Sequence, residues 1–177
     1  MKKVFSGALV GVLAVAVLCT CVRGNATGSL PGVFLSALAE VKAKTTVPVL
    51  LPTELPSPFS DAKHAVDKAK ADEYAITLYY ELGMGNAAFA ASFGAKDNAT
   101  YSPRELTNVQ EVKLAGGIVG FFRPVSCGGS CAPANLWWER GSALYTLQLK
   151  LPSALDEKRQ RKIITQVGNS AILAGPR

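Results

Sequence analysis

The stretch NLWWERGSALYTLQLKL, Asn135 to Leu151, constrains the fold most, because two adjacent tryptophans open an alternating apolar run that turns back on itself. Taking Arg140 and Gly141 as a two-residue turn sets Trp138 opposite Ala143 and Leu136 opposite Tyr145, with Leu147 and Leu149 continuing the stripe. Successive strand side chains point to opposite faces, so Trp137 and Trp138 cannot share one. Trp137 falls beside Leu144, on the face that carries Asn135, Glu139, Thr146, Gln148 and Lys150. Both tryptophans are buried only if the sheet is covered on both sides.

A second hairpin reads from VQEVKLAGGIVGFF, where Gly116 and Gly117 permit the positive φ of a tight turn. Counting outward sets Leu114 opposite Val119 and Val112 opposite Phe121 on one face, and Phe122 opposite Glu111 on the other.

Elsewhere, Phe34, Leu38 and Val41 predict a short amphipathic helix over 31–44. The proline-rich VPVLLPTELPSPF that follows forbids a helix and predicts one short edge strand at 47–51. Tyr74 to Leu82 reads as a strand; residues 60–72 fit either a helix capped by Ser60 or a strand, and the strand is favoured. Leu155, Ile163, Ile164, Val167 and Ala171 predict a helix over 154–172, opened by a capping box of Ser153 and Asp156. It is expected to lie over the Trp137 face. The fold class is α+β: a mostly antiparallel sheet of five to seven strands with an N-terminal short helix and a C-terminal helix packed on it.

At 177 residues the chain suits one domain. Between Lys3 and Arg23 lie nineteen uncharged, mostly apolar residues, the order of an export signal. The division is therefore 1–26 as signal and 27–177 as a single domain, periplasmic or secreted. The alternatives are a lipoprotein attached through Cys21 and an uncleaved anchor, and only these involve a membrane. Removing residues 1–26 takes away three basic residues and no acid, so the formal charge falls from +6 to +3. The remaining cations are scattered except for Lys158, Arg159, Arg161 and Lys162, a solvated helix face, so no nucleic-acid footprint is expected.

FFRPVSCGGSCAP holds Cys127 and Cys131 among turn residues. Redox centres favour two intervening residues at a helix start, and zinc sites need further ligands with companion spacings. A two-thiolate copper(I) site fits the ligand softness but lacks other support. Outside the cytoplasm a disulfide staple is the leading reading.

Gly83, Gly85 and Ala88 match a dinucleotide-turn outline, with Glu105 further on, but no βαβ alternation surrounds them, so a tight turn between strands is expected. His64 is the sole histidine and has no nucleophile motif nearby. Gly128, Ser130 and Ala132 mimic part of a nucleophile elbow without its strand–turn–helix order. No catalytic residue, cofactor or metal is assigned.

Together VPVLLPTELP, GIVGFFRPVSCGGSCAP, LWWERGSALYTLQLK and NSAILAG resemble a family of small exported bacterial proteins of unassigned function. Their pattern is related to extracytoplasmic lipoprotein domains and to C-terminal domains of some anti-sigma factors. The resemblance spans roughly 36–177 and implies an extracytoplasmic β-rich domain. It also implies that a cysteine pair often found near Met84 and Phe89 is replaced here by apolar packing.

The leading expectation is a non-enzymatic extracytoplasmic domain that binds a protein or cell-envelope component, with Trp137, Phe122, Leu144 and the stapled loop as its surface. An enzyme inhibitor or immunity-type protein is the nearest alternative. A cell-envelope hydrolase is the alternative from another class, and a cleft lined by paired carboxylates would favour it.

Overall fold

The computed structural model describes residues 28–84 and 86–177, without the side chains of His64, Val66 and Asp67. The export segment, Cys21, Gly85 and the His64 side chain lie outside the described residues.

Seven strands form one antiparallel sheet: β1 (His64–Lys70), β2 (Glu73–Gly83), β3 (Asn86–Asp97), β4 (Gln110–Lys113), β5 (Val119–Arg123), β8 (Ala134–Arg140) and β9 (Ala143–Leu149). Two short strands, β6 (Ser126–Cys127) and β7 (Cys131–Ala132), make a separate ribbon. The spatial order is β1-β2-β3-β9-β8-β5-β4, so the chain leaves β3 in the middle and crosses three strands to reach β4 at the edge. Within residues 60–72 the strand forms over His64–Lys70, preceded by a short 3-10 turn at Phe59–Asp61.

One face carries the main core. Tyr74, Ile76, Leu78, Phe93, Leu136, Trp138, Tyr145 and Leu147 are buried there beneath α1 (Leu35–Lys44), α2 (Glu157–Ala174) and the proline-rich segment between α1 and β1. Phe34 meets Phe93 edge-on at 5.1 Å, and Trp138 stacks on Tyr145 at 5.5 Å. Gly168 lets α2 approach closely, since a Cβ there would stand 2.6 Å from Leu136 Cδ2.

The proline-rich segment forms a single bridge, Leu50 to Pro176, in place of the expected edge strand. Two of its backbone groups are met by core tyrosines: Tyr74 Oη accepts from the Leu50 amide at 3.0 Å, and the Tyr145 hydroxyl donates to the Pro48 carbonyl at 2.9 Å. Prolines remove ladder donors, and tyrosine hydroxyls supply the replacement contacts. α2 starts one turn later than expected because Asp156, not Ser153, is its cap: its carboxylate accepts from the Arg159 amide at 2.8 Å.

Both hairpin registers differ from expectation. Around Gly141 the turn residues are Gly141 and Ser142, and Arg140 faces Ala143, so Trp138 pairs with Tyr145. Only Gly141 has positive φ, as a type II′ turn requires at its first central position. This slip of two leaves every side chain on its expected face. Around Gly116 the loop has three residues, with the Leu114 amide donating to the Ile118 carbonyl at 2.8 Å. That slip of one sets Glu111 opposite Phe121 and Gln110 opposite Phe122. Phe122 therefore joins the main core beside Leu136, and Phe121 takes the opposite face.

The β2–β3 hairpin extends past the rest of the sheet. Met84 at its tip is fully exposed, so the expected apolar packing of Met84 with Phe89 is absent; Phe89 pairs with Tyr79.

Candidate functional site

Among the described residues no α-helix packs across the second face of the sheet. Its cover is the strap between β3 and β4, residues 98–109, which starts and ends near two asparagines with positive φ, Asn98 and Asn108. Asparagine tolerates that conformation better than most residues. Beneath the strap Phe121, Trp137 and Leu144 form a small second core with Ala99, Leu106 and Val109. Arg104 lies 4.9 Å over the Phe121 ring and Arg123 5.4 Å over the Trp137 ring, so two guanidinium groups seal this core. The expectation that the C-terminal helix covers Trp137 is thus corrected: α2 packs on the Trp138 side, and the strap covers Trp137 to 5% exposure.

The strap covers only half the face. Reading one row across the strands, Lys68 pairs with Ala75, Ala75 with Gly94, Gly94 with Thr146, Thr146 with Trp137, and Trp137 with Phe121. Large side chains stand under the strap, small ones in the middle, and a lysine at the far side. A trough follows from these sizes alone. A Cβ at Gly94 would meet the Tyr74 carbonyl at 2.9 Å, so the backbone itself closes the floor there.

This trough has a volume of about 880 Å³. The parallel row Lys70, Glu73, Lys96, Leu144 borders one end. Glu73 pairs with Lys70 at 2.9 Å and Lys96 at 3.6 Å. The hydrogen bond and charge of Lys70, then the charge of Lys96, hold the Glu73 carboxyl below its ordinary range, and Glu73 holds Lys70 above its own. Lys44, Lys68, Lys70 and Lys96 line the trough; Lys44 is paired with Glu40 of its own helix, and Glu73 is the one carboxylate in the lining itself, so the lining is basic. Tyr101, half-exposed on the strap and 6.3 Å from Trp137, forms the aromatic wall. Ser92, Thr146 and Gln148 offer hydroxyl and amide groups.

The chain matches no family model, no curated protein and no solved structure.

Of the residues singled out in the sequence, Leu144 lines the trough, Trp137 props the strap that walls it, and Phe122 belongs to the other face. Cys127 and Cys131 form a disulfide that pins the β6–β7 ribbon. The Lys150 ammonium donates to the Cys131 carbonyl at 2.6 Å and ties this ribbon to the end of β9. On its other flank the buried Gln160 of α2 accepts from the Val125 amide at 2.8 Å and donates to the Leu155 carbonyl at 2.7 Å. The ribbon is anchored at the sheet end reached by Arg123, Ala134 and Leu149; the trough runs from Ser92 and Gln148 near that end to the β1–β2 turn, and its lining includes no residue of the ribbon. The staple and the trough are therefore separate features. Among the described residues no three His, Cys, Asp or Glu side chains gather as a metal site, and no helix is long and apolar enough to cross a membrane.

Gly83 and Met84, both with positive φ, shape the β2–β3 turn, and Glu105 sits in the strap. The glycine outline is therefore a hairpin tip, without the strand-to-helix passage of a dinucleotide site. Sequence reasoning missed Lys68, Lys70, Glu73, Lys96 and Tyr101. Each is an ordinary surface residue in its own segment, and only the strand register gathers them.

Proposed function

We propose that this chain is an exported, disulfide-stapled domain that binds a component of the cell envelope in the trough beside the strap on the second sheet face. The observation that carries the proposal is the half-covered face: a strap held by Trp137 walls a concave, basic surface that the fold leaves open. A concave site with a few convergent polar groups is the usual form of a ligand surface. The export segment and the Cys127–Cys131 disulfide suit a protein that works in an oxidising compartment, periplasmic or secreted, with lipid attachment at Cys21 as the anchored variant. The trough holds one carboxylate, engaged by two lysines, which is not the acid pair that would favour a hydrolase.

The test is capture of cell-envelope material by protein exported from the full chain, compared with Lys68→Glu/Lys96→Glu. Loss of capture in the variant, with cooperative unfolding retained, supports the proposal. Equal capture by both overturns it.

A further inference from the structure

Resting on that reading, we infer that the trough takes an anionic glycan, a uronic-acid type of polymer, with carboxylates on the lysine rim and a sugar face on Tyr101.

The sign of the ligand follows from charge. Lys68 and Lys70 stand on β1 and Lys96 on β3, on either side of Glu73 of β2, with side chains of Lys70 and Lys96 still 74% and 55% exposed. Glu73 neutralises part of this charge and leaves an excess of cation around the concavity. Charge gathered on a concave wall is felt more strongly by a ligand than the same charge on a convex helix face. Lys113, Lys158, Arg161 and Lys162 also gather beside Glu111, around a smaller concavity of about 450 Å³ between α2 and β4, but that one has no aromatic wall, and Arg161 Nη1 there donates to Gln110 Oε1 at 3.2 Å.

The glycan part follows from the floor. Gly94 and Thr146 lie in the middle of the sheet, where β3 and β9 are hydrogen-bonded on both sides, so the floor presents no free backbone edge; the sheet's edge strand β1 contributes to the rim through Lys68 and Lys70. An extended peptide that adds to a sheet relies on such an edge. Here the polar groups are side-chain hydroxyls and an amide, from Ser92, Thr146 and Gln148, beside one accessible phenol ring. Hydroxyls of a sugar meet hydroxyl and amide groups directly, and a sugar's apolar face meets an aromatic wall. Glu73 then acts as a resident counter-ion that an incoming carboxylate replaces on Lys70 and Lys96.

The experiment is calorimetric titration of the exported protein with oligogalacturonate, with neutral dextran and poly-L-glutamate as comparisons. Oligogalacturonate is expected to bind and dextran not to. Lys68→Ala/Lys96→Ala should weaken binding by about tenfold or more, and raised salt should weaken it similarly. Tyr101→Ala should weaken it and Tyr101→Phe restore it, since stacking needs the ring alone. Glu73→Gln is the sharpest arm: it removes the competing carboxylate and should tighten binding by roughly threefold or more, an increase no merely structural role for Glu73 predicts. Unchanged or weaker binding in Glu73→Gln overturns the inference. Poly-L-glutamate binding as tightly as oligogalacturonate overturns the glycan assignment and leaves the trough as the site. Binding of neither polymer, with lysine-dependent capture of envelope material intact, overturns the inference and leaves the proposed function standing.

Discussion

Trp137 and Trp138 are neighbours in the chain and are buried on opposite faces of one sheet, Trp137 under the strap and Trp138 against Tyr145 and α2. The two covers differ in extent, so the two residues differ in what they support. Trp138→Ala should cost about 3–5 kcal/mol of global stability, as expected for an aromatic residue removed from a main core. Trp137→Ala should cost less and act locally: amides of residues 98–109 should exchange faster, with the rest of the sheet protected. Urea unfolding and hydrogen exchange of the two variants check the distinction, and equal global losses without a local change in the strap would contradict it.

Gln160 is buried and joins two loops to α2 through its amide. Gln160→Ala leaves the Val125 amide and the Leu155 carbonyl without that partner, so a loss of about 1–3 kcal/mol is expected. Gln160→Glu keeps an acceptor for Val125 but sets a carboxylate against the Leu155 carbonyl. It should also destabilise, with partial recovery at acid pH where the carboxyl is protonated. Denaturant midpoints at pH 7 and pH 4 make the comparison.

The Cys127–Cys131 staple closes a short, exposed ribbon outside the main sheet. Cys127→Ser/Cys131→Ser should lower stability by about 2 kcal/mol on loop-entropy reasoning and leave the cooperative transition intact. Binding in the trough should be unaffected, because no residue of the ribbon lines it. Unfolding curves with and without reductant, beside a titration of the variant, provide the check.

Burial raises the Tyr74 phenol above its ordinary value of 10.0, against the opposing hydrogen bond from Leu50. In the unfolded chain the phenol ionises at about 10, so above that pH the folded state holds the proton more tightly. The contribution is fully present below pH 10 and declines as pH rises beyond it. Tyr145, also raised by burial, adds to the same slope. Tyr74→Phe should lose the contact with the Leu50 amide near neutral pH yet show a shallower alkaline decline. Stability curves between pH 8 and 11 would reveal both effects.

Much of the fold was legible because it depends on local alternation. The stripe of Leu136, Trp138, Tyr145, Leu147 and Leu149 keeps its face although the register differs by two, since a slip of two preserves the pleat. At Gly116 a loop longer by one residue exchanged Phe121 and Phe122 between faces, and no feature of AGG distinguishes a two-residue from a three-residue loop. The cover of Trp137 was hidden for another reason. YSPRELTNV has no periodicity, and its role comes from the crossing path between β3 and β4. The trough was the least legible, because Lys68, Ala75, Gly94, Thr146 and Trp137 come from five strands and become neighbours only through non-local pairing.

The most direct test of the binding face is the backbone-amide NMR spectrum of the exported protein during titration with oligogalacturonate. Shift changes concentrated at Lys68, Glu73, Gly94, Tyr101 and Thr146 are the predicted result. Changes concentrated instead at Lys158, Arg159, Arg161 and Lys162 on α2 would contradict it.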